Sequence, residues 1–135
     1  MIQPPEVSAA ADLPLCREVA WDYALHRPIW RRGEPVIVTG KEAVKVWAFK
    51  ALMTPRFQYE IYTWAYGSEF ESLIGQAYTA DLKQSECARY LRECLLINPY
   101  ITGVTNIETA FDNGTLTVSC VLHTIYGEVP VYASI

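Results

Sequence analysis

The last 24 residues, "DNGTLTVSCVLHTIYGEVPVYASI" (residues 112–135), decide the fold of this 135-residue chain. The segment Asp112–Gly114 is a strong signal for a tight β-hairpin turn. In the strand that follows, apolar residues occupy every second position, which predicts one buried face. These inward residues are Leu116, Val118, Cys120 and Leu122. A second turn at Gly127-Glu128 returns the chain along "VPVYASI", so the segment predicts an antiparallel β-meander.

The final strand has the features of a sheet edge. Pro130 has no amide donor, which confines it to an edge strand. The strand ends in "YASI" and has no lysine of the kind that usually protects an exposed edge. Such an edge is suited to β-augmentation by another chain, and the alternative is that the N-terminal arm covers it. The partner-facing residues expected on this strand are Val129, Val131, Tyr132, Ala133 and Ile135.

Three helices are predicted upstream of the meander. Thr39–Glu42 fits a Thr-x-x-Glu capping box and opens the first helix, which Pro55 ends. A second capping box, Ser68–Glu71, opens a short helix that stops near Gly75. The third helix is predicted from about Leu82 to Ile97, with Asp81 and Gln84 as its capping pair. Its expected inner stripe is Cys87, Leu91, Cys94 and Leu95.

Between the first two helices lies the aromatic stretch "TPRFQYEIYTWAYGSEF" (residues 54–70). After Pro55 it is predicted to be extended chain or irregular strand. Its rings are expected to pack mostly inside the domain, with Tyr59 and Tyr66 the ones that contact a partner. An alternative interpretation is a small binding module with an aromatic groove along residues 57–66.

The N-terminal part predicts an arm followed by a hairpin. Residues 1–14 form the arm, because "QPP" and "LP" prevent regular helix. "REVAWDYAL" (residues 17–25) alternates like a half-buried strand, "HRPIWRRGE" is predicted to be a loop, and "PVIVTG" a short strand. Within the loop, Trp30, Arg31 and Arg32 are of the types enriched at binding hot spots. The alternative is that Trp30 packs on its own core and the arginines are solvated.

Together these segments predict one α+β domain over residues 15–135. It consists of an N-terminal β-hairpin, three helices and a C-terminal antiparallel β-meander with an exposed edge strand. Gly103, early in the first meander strand, predicts a bulge.

The composition argues against several functions. A net charge of −4 gives no basic field for nucleic acid, and no apolar run is long enough to cross a membrane. The four cysteines have no metal-ligand spacing, and buried thiols in a reducing compartment are expected. We expect no cofactor, no metal and no catalytic residues. The enzymatic alternative is a muralytic, lysozyme-like activity using Glu60, Glu69 or Glu71, although a capping box already accounts for the last two.

Several stretches together resemble a family. "VTGKEAVKVWAFKALMTPRFQYEIYTWAYGSEFESLIG" (residues 38–75), with "LPLCREVAWDYAL" before it and "RECLLINPYITGVTNI" after it, is similar to the PBSX-type baseplate proteins of contractile phage tails and tailocins. These include baseplate-wedge, or sheath-initiator, proteins. The resemblance covers about residues 14 to 135.

The resemblance implies a structural, non-enzymatic protein that initiates the sheath by strand pairing and joins the wedge to the tube and sheath. The implied partners are the first ring of sheath protein, other baseplate wedge proteins and tail tube or hub proteins, with several copies in a six-fold ring. No nucleic acid and no membrane are implied. The implied location is the baseplate of the virion tail, or a tailocin particle, after synthesis in the bacterial host cytoplasm.

The resemblance also implies a docking position after the third helix. The wider wedge family carries a Glu-Pro-Arg motif there, which contributes to a helical core bundle with neighbouring wedge proteins. The matching residues of this chain are Asn98, Pro99 and Tyr100. Only the proline is kept, so a contact here would depend on hydrogen bonding and packing in place of a salt bridge.

Overall fold

The structure is a computed structural model, and it describes residues 13–61, 80–112 and 115–135. An N-terminal β-module, helices and a C-terminal β-meander follow one another as predicted, and the predicted α+β class is confirmed. The arm residues 1–12, the second capping box and Tyr66 lie outside the described residues.

The N-terminal module is a branched hairpin made of three antiparallel strand pairs. Its strands are β1 (Arg17–Val19), β2 (Trp21–Asp22), β3 (Arg27–Pro28), β4 (Trp30–Arg31), β5 (Glu34–Pro35) and β6 (Ile37–Thr39). β1 pairs with β6, β2 with β3 and β4 with β5. The predicted loop therefore contains a hairpin of its own.

The predicted strand over residues 17–25 is too long, because Asp22 ends it. The Asp22 carboxylate accepts hydrogen bonds from the backbone N–H groups of Ala24 and Leu25, at 3.0 and 2.9 Å. This Asx turn reverses the chain and leaves Leu25 exposed in a turn.

A closed ring of three backbone hydrogen bonds joins the three strand pairs. The Ala20 N–H donates to the Val36 carbonyl (2.7 Å), the Val36 N–H to the Ile29 carbonyl (3.0 Å) and the Ile29 N–H to the Ala20 carbonyl (2.9 Å). Each of these residues lies between two consecutive strands. Its backbone N–H and its C=O are nevertheless both hydrogen-bonded within the ring. The junction thus fixes the directions in which the hairpins leave it.

Helix α1 (Lys41–Leu52) follows β6 directly, and the predicted capping box is wrong. Gly40 is the N-cap, with φ at 67°, and no side chain caps the helix. Thr39 instead belongs to β6, opposite Arg17, and the Glu42 carboxylate accepts a hydrogen bond from the Tyr23 hydroxyl at 3.3 Å. The left-handed backbone at Gly40 favours glycine and turns the chain from strand to helix.

Pro55 begins a helix, so the predicted extended chain after it is wrong for residues 56–61. Helix α2 covers residues 55–61, and its first hydrogen bond runs from the Gln58 N–H to the Thr54 carbonyl. Proline is well tolerated at the first helical position, where its missing N–H has no partner to lose. Phe57 and Ile61 point into the core, which confirms internal packing for part of the aromatic stretch.

Helix α3 (Ala80–Leu95) presents the predicted inner stripe. Cys87, Leu91 and Leu95 are fully buried and Cys94 is half-buried. The predicted capping pair is wrong, because Asp81 lies within the helix and the Gln84 side chain bonds to the first meander strand.

The meander consists of β7 (Ile101–Asp112), β8 (Thr115–Thr124) and β9 (Gly127–Ser134), with β8 in the centre. Asp112 pairs with Thr115, which confirms the first predicted hairpin. Thr124 pairs with Gly127, so the second turn lies at Ile125-Tyr126, just before its predicted position. The register shifts between Ile101 and Gly103, as predicted, and again between Thr105 and Glu108, which was not predicted.

The core lies between one face of this sheet and the helices. α1 packs mainly on β9 and also contacts β1 and β6, while α3 packs on β7. All four predicted inward residues of β8 are buried, and they contact a cluster that includes Val44, Leu52 and Leu91. Because both helices cover the same face, the opposite face and both edges of the sheet point away from this core.

Candidate interaction surfaces

The outer edge of β9 presents a regular row of backbone groups. The Leu116 and Ile135 backbones exchange two hydrogen bonds, at 3.1 and 2.7 Å, and this pair fixes the phase of the ladder. Antiparallel pairs alternate between hydrogen-bonded and non-bonded, so every second residue of β9 points its N–H and C=O away from β8. These outward residues are Glu128, Pro130, Tyr132 and Ser134. No strand in the described ranges pairs with this edge.

The alternation of inward and outward backbone groups divides the partner-facing residues predicted on this strand into two groups. Val129, Val131 and Ala133 have side chains buried in the core and backbone groups directed at β8, and Ile135 bonds to Leu116. Tyr132 is 63% exposed and directs its backbone outward. Sequence reasoning missed Glu128, Pro130 and Ser134, although the position of Pro130 indicated the phase: a residue without an N–H belongs on the outward side.

The other edge of the same sheet, β7, is irregular and partly covered. Asn106 has a φ of 54°, and it and Ile107 have no partner in the β8 register, which is a β-bulge. The Gln84 side-chain amide of α3 donates to the Ile107 carbonyl at 2.7 Å, and its oxygen accepts from the Thr109 hydroxyl at 2.7 Å. The backbone carbonyl of Ile107 is thus already bonded by a side chain and is less available to an added strand.

The β4–β5 hairpin carries the predicted hot-spot residues on its surface. Trp30 is 60% exposed and Arg31 and Arg32 are exposed, so Trp30 does not fold back into the core. Trp30 stands opposite Pro35, and Arg31 stands opposite Glu34.

Asn98, Pro99 and Tyr100 form an internal junction at the end of α3. The buried Asn98 side chain accepts a hydrogen bond from the Tyr100 N–H (2.8 Å), and the Asn98 carbonyl accepts one from the Ile101 N–H (3.0 Å). The Tyr100 hydroxyl donates to the Pro14 carbonyl (2.6 Å), and its ring stacks on Tyr126. Asn98 therefore holds α3 to β7, and of the three only Pro99 is exposed.

A cleft of about 470 Å³ lies where the three helices meet. Its apolar wall includes Trp47, Phe57 and Cys94, and its charged rim includes Glu60. Burial, with the nearby Glu60 carboxylate as a smaller cause, raises the pKa of the Cys94 thiol to about 11, so this thiol stays protonated at neutral pH. Tyr59, on the same helix as Glu60, is 73% exposed.

The enzymatic alternative was based on three glutamates. Of these, Glu60 lies on α2, and Glu69 and Glu71 lie outside the described residues. Within the described ranges, no three histidine, cysteine or acidic side chains come together in a way that would hold a metal ion. No helix there is long and apolar enough to span a membrane.

Comparison with known proteins identifies a family. Residues 17–127 match the family model for the contractile injection system sheath initiator. The chain is also 30% identical, over 96 residues, to the phage-like element PBSX protein XkdS of Bacillus subtilis (strain 168), an alignment that covers 70% of this chain and 68% of that protein. The matched region extends from β1 to the first residue of β9, and it confirms the resemblance to PBSX-type tail proteins. This chain belongs to the sheath initiator family of contractile injection systems.

Proposed function

We propose that this protein starts the contractile sheath by offering the outer edge of β9 to a strand of the first sheath subunits. Family membership assigns the chain a structural role in a contractile tail. The observation that supports the specific mechanism is the contrast between the two edges of the meander: β9 is regular and unpaired among the described strands, and β7 is bulged and bonded to Gln84.

In this mechanism the protein acts as a template. Glu128, Tyr132 and Ser134 present backbone N–H groups along the edge, and these residues and Pro130 present carbonyls. Pro130 interrupts the row of donors, so the continuous pairing segment is Tyr132–Ser134. An added strand would satisfy these groups and continue the sheet, which is β-augmentation.

The template has a fixed position because β9 is anchored beneath α1. The inward side chains Val129, Val131 and Ala133 are each at most 5% exposed, and α1 packs over them. A pre-ordered strand reduces the conformational entropy that pairing must overcome. Several copies held in a ring at the baseplate would present such edges at regular intervals, and this arrangement would set the symmetry of the first sheath ring.

The proposal also places the protein between the baseplate wedge and the tube or hub. The exposed Pro99 and Tyr59 are the candidates for those contacts, with Asn98 and Tyr100 shaping the turn from within. The matched family and the relative carry no indication of the muralytic alternative. We therefore propose a non-enzymatic assembly role. The protein would be made in the host cytoplasm and would act in the tail baseplate.

Substitution of Tyr132 by proline tests the pairing mechanism. Tyr132→Pro removes an outward N–H and places a ring at the edge, while the hydrogen bonds between β9 and β8 are kept. Sheath assembly on particles or baseplates that carry this variant is expected to fall by about tenfold or more, the effect of at least one lost hydrogen bond together with steric exclusion.

The matched control is Tyr132→Ala, which removes the same ring but keeps the N–H. Sheath length and number are counted by electron microscopy, and folding is checked by circular dichroism. If Tyr132→Pro folds and still supports normal sheath assembly, β9 is not the template. If Tyr132→Ala is as defective as Tyr132→Pro, the side chain and not the backbone makes the contact.

A further inference from the structure

The β4–β5 hairpin exposes a large aromatic side chain. Trp30 is 60% exposed, and Ile29 directly before it is 38% exposed. Leu25 and Ile37 are also exposed, but they lie in the β2–β3 turn and on β6. Tryptophan is enriched at binding hot spots, so its exposure on this hairpin indicates a binding surface.

The same hairpin has a charge opposite in sign to that of the chain. Residues 30–35 contain Arg31 and Arg32 against Glu34, so the hairpin is positive, whereas the whole chain carries −4. Glu34 stands opposite Arg31 across the hairpin. The ion pairs found within the described residues involve neither Arg31 nor Arg32, and both arginines are exposed.

The hairpin has a regular two-residue turn and a hydrogen-bonded base. Arg32 and Gly33 both have positive φ, at 54° and 80°, which is the type I′ turn of a two-residue hairpin. Asparagine or glycine usually occupies the position of Arg32, because a long side chain is unfavourable there. The turn keeps an arginine at its tip at this cost, and the hydrogen-bonded ring of Ala20, Ile29 and Val36 fixes the base of the hairpin.

This hairpin is unsuited to extending a sheet. Its strands are two residues long, and Pro35 on β5 lacks an N–H. Recognition here must therefore depend on side chains. A planar indole flanked by guanidinium groups fits an apolar pocket with acidic residues around it.

We infer that the β4–β5 hairpin docks into an acidic, apolar-centred pocket on another protein subunit of the same particle. The choice of a particle subunit rests on the proposed function, whereas the chemistry of the pocket rests on the hairpin alone. A protein is favoured over nucleic acid because the net negative charge of the chain opposes a polyanion. An acidic pocket would pair with Arg31 and Arg32, which form no ion pair within the described residues.

The experiment measures binding of the full chain to the sheath, tube and baseplate subunits of the particle, each purified separately. One subunit is expected to bind, more weakly as the NaCl concentration rises, and Trp30→Ala and the double change Arg31→Glu/Arg32→Glu are each expected to weaken its binding by about tenfold or more. Arg92→Glu, a charge reversal at an exposed position of α3 outside the hairpin, is the control and is expected to leave binding unchanged. Circular dichroism checks that each variant folds.

Separate results overturn this inference and the proposed function. The inference is wrong if no subunit depends on Trp30, if the dependence is found only with duplex DNA or a second copy of this chain, or if Tyr132→Pro removes the same interaction equally. The proposed function fails if Tyr132→Pro leaves sheath assembly intact, whatever the hairpin variants do.

Discussion

The two edges of the meander belong to one sheet and have opposite properties. β7 carries a bulge at Asn106-Ile107, and the Gln84 side chain bonds to it at two points. β9 is regular over its whole length, and its outward backbone groups lack a partner among the described strands. Isolated sheets usually protect both edges against added strands. Protection of one edge alone limits strand addition to the other edge.

The difference between the edges arises from side chains that act locally. β7 is distorted because Asn106 tolerates the left-handed region and an extra residue then fits opposite β8. β9 stays straight because three small apolar side chains alternate beneath α1 and hold it in register. The bulge therefore makes the β7 edge unsuitable for an added strand, whereas the regular backbone of β9 leaves that edge suitable for one.

The largest effect is expected when proline is placed at a β9 residue whose N–H is directed at β8. Val131→Pro would remove an N–H directed at β8 and a core side chain that is only 3% exposed. The free energy of unfolding is expected to fall by about 3 kcal/mol or more. Tyr132→Pro, one residue later, is expected to cost less than about 1 kcal/mol, because its N–H points outward. Urea unfolding of both variants decides the assignment, and equal losses would contradict the phase proposed for the edge.

The second effect concerns the protection of β7. Gln84→Ala would leave the Ile107 carbonyl and the Thr109 hydroxyl without their partner, and the expected loss is about 2 kcal/mol. Arg92→Ala, on the exposed face of the same helix, is the control and is expected to change stability by less than about 0.5 kcal/mol. Thermal unfolding compares the two variants. A Gln84→Ala protein as stable as the control would show that the side chain does not secure this edge.

Much of this comparison was predictable from the sequence, because alternation and turn signals are local. The inward residues of β8, the first hairpin and the edge position of Pro130 were all predicted correctly. The bulge at Asn106 was missed because asparagine is common in many settings, and only the β8 register shows that one residue is extra. The bonds of Gln84 were missed because they link residues that are 23 and 25 positions apart.

The errors in the helices and the N-terminal module have similar causes. A Thr-x-x-Glu pattern predicts a cap only if threonine stands at the N-cap, and here the left-handed Gly40 takes that position. Pro55 was interpreted as ending a helix, and it also begins the next one. The branched hairpin depends on the Ala20, Ile29 and Val36 ring, which joins residues 7 to 16 positions apart, and no pattern within a single strand indicates it.

A third prediction examines the bulge that distorts β7. Asn106→Val is expected to lower the free energy of unfolding by about 1 kcal/mol, because a β-branched residue is strained at a φ of 54°. Asn106→Gly has no such strain and is expected to be neutral within about 0.5 kcal/mol. Chemical denaturation measures both. If valine is tolerated as well as glycine, the left-handed backbone is not what maintains the bulge.

The smallest effect concerns Cys120, which lies on β8 between the bulge on one side and Val131 on the other. Burial raises the pKa of its thiol from 9.0 to about 11. The unfolded chain ionises first, so the stability that this thiol confers is fully present well below pH 9 and is lost as the pH rises through 9 towards 11. At pH 9 the loss is about 0.4 kcal/mol, since half of the unfolded thiols are ionised and almost none of the folded ones.

Comparison of wild type with Cys120→Ala isolates this contribution. The difference in their free energies of unfolding is expected to shrink by about 0.4 kcal/mol between pH 7 and pH 9, because other titrating groups affect both proteins alike. Ser119→Ala, the neighbouring residue on the other face of β8, is expected to differ from wild type by the same amount at both pH values. A constant difference for Cys120→Ala would mean that water reaches the strand between the two edges, and the regularity of β9 could not then be attributed to a dry core beneath it.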